Sequence, residues 1–186
     1  MNIISNIRPG IMGLISGKLH GALMEIDATD FSIEKTVVPK LLKGVGLPTD
    51  DEFINDGFEA YKQYMAIALI DSKNMHAVSD VVDPFWHAHI LCTQKYNKFC
   101  FDVFGRFLHH HPIETEIERD QVEVLYDYTR RIYDKVFLHF EPWTFKPLTR
   151  DQLICFHNCD RYDAPTEEST GIFSIDYTLP RMACAA

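Results

Sequence analysis

Apolar residues recur at helical spacing over most of the chain. In residues 51–71, Phe53, Phe58, Tyr61, Met65 and Leu69 share one face, and Asp50 or Asp51 supplies an N-cap. The stretch 84–104 opens on Asp83 as an acidic cap with Pro84 at the first helical position, and it closes at Gly105. A long helix over 114–138 carries Val122, Leu125, Tyr128, Ile132 and Val136. A shorter helix over 32–44 is interrupted by Pro39. The segment "LTRDQLICFHNCDRY" reads as a last helix capped by Thr149, and "RFLHHHPIE" as a loop closed by Pro112. The first 30 residues fit a short helix or an arm. Together these elements predict a mainly α fold. A single-domain helical bundle of about five helices spans 1–163, and an irregular C-terminal tail, 164–186, either lies on the domain through Ile172, Phe173 and Tyr177 or is mobile. The helices over 84–104 and 115–138 are expected to pack on one another.

Composition agrees with a folded chain. Of 186 residues, 46% are hydrophobic and 24% charged, which is enough to bury a core without a staple. The net charge of -9, with no basic run, argues against nucleic acid and anionic lipid as partners. It leaves a protein partner or a homodimer. Five cysteines, an odd number, do not suit a secreted disulfide framework. Arg8, Pro9 and Lys18 break the apolar N-terminus before a signal-peptide core can form, and no apolar run of about 18 residues spans a membrane. A cytoplasmic location is expected.

The chemistry is concentrated in "DPFWHAHILCTQKYNKFC" and, shortly after it, "FGRFLHHHP". An α-helix turns about 100° per residue. His89 therefore falls on the stripe with Cys92, Tyr96, Cys100 and Val103, while His87 lies about 200° away. The two cannot share an ion from a regular helix. His89 and Cys100 share a face but stand roughly 16 Å apart along the axis. Any shared site must draw on His109, His110 or His111. A straight helix over 84–104 is about 30 Å long, and four loop residues reach at most about 14 Å. The histidine loop thus returns to His87 only if the helix breaks near its middle. If the helix is straight, the loop's partner lies elsewhere, as at Cys100 and Tyr96, and the two histidine environments are separate. A single site with both clusters then forms only across a dimer interface. Asp83 and Asp80 are placed to orient an imidazole, and Trp86 or Phe85 to wall the site. The candidate ligands are His87, His89, Cys100, His109 and His110, for a divalent ion such as iron, zinc or copper. A weaker constellation is "CFHNC", with Cys155, His157 and Cys159.

The block Asp83, Trp86, His87, His89, Tyr96, Cys100, Gly105 and His109 or His110 resembles the signature of the glycine-rich-domain-containing protein family. The likeness is to small members without the glycine-rich tail, and Phe99 stands where that pattern has an acid. The resemblance implies no activity.

Two function classes follow from the residues. One is a metal-binding protein, or a metal-dependent enzyme, using His87 and His89 with the His109–His111 loop. The other is a non-catalytic interaction domain in which these residues are structural. Metal-free histidine acid–base chemistry ranks below both, since no nucleophile–base pair is visible. No Rossmann glycine pattern, P-loop or nucleophile elbow occurs, and no catalytic residue is assigned.

Overall fold

The computed structural model describes residues 2–141, 144, 155–158, 171–176 and 178–180. The protein is mainly helical. Its elements in order are α1 (Ile3–Asn6), α2 (Pro9–Met12), α3 (Gly17–Ala28), α4 (Glu34–Gly44), α5 (Asp51–Ile70), β1 (Ala77–Val78), α6 (Asp83–Leu91), α7 (Thr93–Phe104), β2 (His109–Pro112), α8 (Glu116–Val136) and β3 (Cys155–Asn158).

α5 is the central element. The Asp50 carboxylate accepts from the Phe53 N–H at 3.0 Å and starts the helix. From Ala60 onward nearly every residue is buried, including Tyr61, Tyr64, Met65 and Leu69. α1, α3, α4, α6 and α8 all pack on it. A helix enclosed on all sides has no wet face to keep polar, which is why its C-terminal half reads "YMAIALI". α8 starts with a reciprocal cap: Thr115 Oγ1 accepts from the Glu118 N–H, and the Glu118 carboxylate accepts from the Thr115 N–H. It buries Val122, Leu125, Tyr128, Ile132 and Val136, as the periodicity predicts. Pro39 sits inside a continuous α4 rather than interrupting it.

Three sequence expectations are corrected. First, 84–104 is not one helix: it breaks at Cys92, whose φ −84°, ψ 58° is not helical and whose N–H bonds to the His89 carbonyl at 3.0 Å. Second, the loop holding the histidines contains a strand. β2 and β1 both pair antiparallel with β3, giving a three-stranded sheet in the order β1-β3-β2. Third, the described part of the expected last helix, Cys155–Asn158, is that central strand. Thr149 and Cys159 lie outside the described residues. The sheet also changes the helix packing. α8 contacts α5 and β1, whereas α6 packs on α4, α5 and α7, so the expected close pairing of 84–104 with 115–138 does not form.

A buried polar network joins α5 to α8. Asp71 accepts from Tyr128 Oη at 2.6 Å and from Asn74 Nδ2 at 2.6 Å, and lies 3.1 Å from His76 Nε2. The tail meets the same corner: Ile172 N–H bonds to the Ile70 carbonyl at 2.8 Å, and Asp176 N–H to Asn74 Oδ1 at 2.8 Å. Ile172 and Phe173 pack against the core, while Tyr177 lies outside the described residues. No described helix is long and apolar enough to cross a membrane.

Candidate metal centre

The break at Cys92 positions the site. It turns α7 so that Tyr96 meets the side chains of Trp86 and His89 on α6. Gly105, at φ 71°, then ends α7 in the left-handed conformation that glycine adopts without strain. The chain is pinned as it re-enters. Trp86 Nε1 donates to Tyr96 Oη at 3.0 Å, and the Tyr96 hydroxyl donates to the Leu108 carbonyl. Leu108 immediately precedes β2, so this relay fixes the strand against the first turns of α6. All three residues are buried. Tyr96→Phe strips both bonds while keeping the ring, and it is expected to lower stability by about 1–3 kcal/mol, because the Trp86 N–H and the Leu108 carbonyl stay buried without their partner. A urea midpoint unchanged from the native protein would contradict this.

Asp83 and His87 stand at i and i+4 on α6 and therefore share a face. His110 comes from β2. Its Nε2 lies 2.7 Å from Asp83 Oδ1, and His87 Nδ1 lies 3.5 Å from Asp83 Oδ2. The two imidazole centroids are 4.5 Å apart. Trp86 lies edge-on to His110 at 4.6 Å and closes the inner side. One ligand atom from each of Asp83, His87 and His110 falls within 4.8 Å of the others, so this group could hold a metal ion. Asp83 and His110 are 4% and 11% exposed at the side chain and His87 is 45% exposed, so the site is closed inward and open on one side. Burial holds the His87 imidazole below its ordinary pKa; Asp83 opposes that shift and His110 adds to it. His87 is thus neutral near pH 7, the form that coordinates a metal.

The structure brings together two of the sequence candidates, His87 and His110, and adds Asp83, which the sequence suggested only as an orienting group. Asp83 is the first residue of α6 rather than its cap, and its two carboxylate oxygens face the two histidines. The Asp-x3-His spacing was the available signal.

The other candidates lie outside the cluster. His89 is fully buried on the opposite side of α6, between Phe31, Tyr61, Tyr96 and Phe99. Its Nδ1 meets Tyr61 Oη at 3.0 Å, and desolvation lowers its pKa to about 3, so it stays neutral. Cys100 is buried on α7 against Tyr96 and Leu108, and burial pushes its thiol up, so it stays protonated. His109 is exposed and packs on Phe107 at 4.9 Å. His111 lies 3.7 Å from Glu118 of the α8 cap. Alternation along β2 explains the division: successive side chains point to opposite faces, so His110 faces α6 and its two neighbours do not.

What the fold and the cluster define is a helical protein with a two-histidine, one-carboxylate group that could hold a metal ion. A family model, UCP032817-like, matches residues 29–131, more than half of the chain. The chain belongs to the UCP032817-like family. Asp83, His87 and His110 all fall inside the matched region. This finding overturns the resemblance to the glycine-rich-domain-containing family, to which nothing ties the chain. The shared Trp-His-x-His block is a short local pattern, whereas the family match extends over most of α4 to α8. No curated protein and no solved structure matches the chain.

Proposed function

We propose that this is a metal-binding protein whose Asp83, His87 and His110 hold one divalent first-row transition-metal ion. The observation that carries the reading is the convergence of three ligand atoms within 4.8 Å from segments more than twenty residues apart. Two imidazole nitrogens and one carboxylate oxygen suit iron(II), zinc or copper(II). With no thiolate in the set, soft-metal and cluster chemistry is disfavoured. Three ligands leave at least one coordination position for water, a substrate or a further side chain.

The test is titration of tag-free protein with zinc(II), and with cobalt(II) as a paramagnetic probe. One equivalent is expected to bind, and cobalt is expected to quench emission from Trp86, which packs on His110. Failure to bind either ion at micromolar concentration would end the metal reading and leave the interaction-domain reading ahead.

A further inference from the structure

Tyr96 and Cys100 lie outside the metal cluster, yet both act on the chain that leads into it. They stand at i and i+4 on α7 and share its buried face. The Tyr96 hydroxyl donates to the Leu108 carbonyl, and the Cys100 sulfur takes a hydrogen bond from the Leu108 backbone. Both side chains are buried, as is Leu108. The main chain is therefore gripped from α7 at a point two residues before His110. In an extended chain residues i and i+2 point to the same side, and each residue advances about 3.3 Å. A grip on Leu108 thus fixes both the side on which His110 emerges and how far along the strand it sits. The same Tyr96 hydroxyl accepts from Trp86 Nε1 at 3.0 Å, and the Trp86 ring lies edge-on to His110 at 4.6 Å. One hydroxyl is shared by the helix that carries Asp83 and His87 and by the chain that carries His110.

We propose that Tyr96 and Cys100 are positioning residues of the metal centre: they hold His110 at the register in which its Nε2 meets Asp83, and so set the affinity without touching the ion. The inference rests on the metal reading above. A slip of one residue would turn His110 away and bring His109 or His111 toward α6. With Leu108 clamped, the ion does not have to order the strand, and that ordering cost is not subtracted from binding. Loss of a partner that orients a metal ligand typically costs about 10–100-fold in affinity.

Two readouts on the full chain test this: zinc(II) affinity by chelator competition, and the visible spectrum of the cobalt(II)-loaded protein, which reports ligand geometry. Tyr96→Phe keeps the ring and removes the hydroxyl. It is expected to bind one equivalent with affinity reduced at least about tenfold and with an altered cobalt spectrum. Tyr128→Phe is the control. It also removes a buried hydroxyl, one that donates to Asp71 at 2.6 Å where α5 meets α8, without touching the chain that leads to His110. It is expected to keep native affinity and spectrum. Cys100→Ala removes only the sulfur and should lower affinity in the same direction by a smaller factor. If Tyr96→Phe fails to fold, Cys100→Ala decides alone. Native affinity and spectrum in either Tyr96→Phe or Cys100→Ala overturn the proposal. An equal loss in Tyr128→Phe overturns it too, since any loss of stability would then weaken the centre. In all these cases the three-residue reading stands. A native protein that binds neither ion overturns both.

Discussion

Asp83→Ala is expected to abolish stoichiometric metal binding, with affinity down at least about a hundredfold, or about 3 kcal/mol. Asp83 is the hub of the centre. It supplies the only carboxylate of the group, and its two oxygens face the two histidines at 2.7 and 3.5 Å. Its replacement removes the negative ligand and the group that orients both rings. Removal of an outer-shell partner alone typically costs 10–100-fold in affinity, so loss of a residue that fills both roles should exceed that. Asp83→Asn separates the roles, because it keeps the shape and one acceptor oxygen but loses the charge. His110→Ala should behave like Asp83→Ala. His109→Ala, whose ring lies on the other face of β2, should bind within about twofold of the native protein, roughly 0.4 kcal/mol. Competition with a chromophoric chelator measures all four. Native affinity in Asp83→Asn and Asp83→Ala alike would remove Asp83 from the centre.

Gly57→Ala is expected to destabilise the fold by about 1–3 kcal/mol or more, although the same change in an exposed helix normally stabilises by up to about 1 kcal/mol. A Cβ at position 57 of α5 would overlap the ring carbons of Phe85. Phe85 cannot retreat: it is fully buried, with Phe58 at 5.1 Å and Phe53 at 6.3 Å. Glycine at 57 is what lets α6 approach α5 closely. For a chain of this length the melting temperature should fall by roughly 2–4 °C per kcal/mol. Phe85→Leu in the same background frees space at the ring and should recover part of the loss. A Gly57→Ala protein as stable as the native one in urea would show that α6 shifts freely. Because Asp83 and His87 flank Phe85 on α6, that shift would register as a change in metal affinity.

Where an element is set by local chemistry, its sequence was enough to read it. The Asp50 cap and the apolar run of α5, the Thr115–Glu118 cap and stripe of α8, and Gly105 at the end of α7 each depend on residues within a few positions of one another. The burial order of His89 and His87 followed from the helical period alone, because the hydrophobic stripe chooses the inner face. The requirement that the helix over 84–104 be interrupted, if the histidines were to meet within one chain, followed from chain reach.

What the sequence by itself determined, then, was the helical class, the main caps, the two faces of α6 and the Asp83–His87 pairing latent in their spacing. The tertiary structure decided the rest. No glycine or proline marks the break at Cys92, so nothing local announces it. β2 reads "HHHP" and β3 reads "CFHN", and neither shows apolar alternation. They are strands because they pair with each other across more than forty residues, and main-chain hydrogen bonds between distant segments leave no periodic trace in either one. The same pairing selects His110 over His109 and His111, since a register shift of one residue would exchange their faces. A metal centre assembled from a helix turn and a strand is a nonlocal object: its residue types are visible in the sequence, but their convergence depends on the break, the relay through Trp86 and Tyr96, and the sheet.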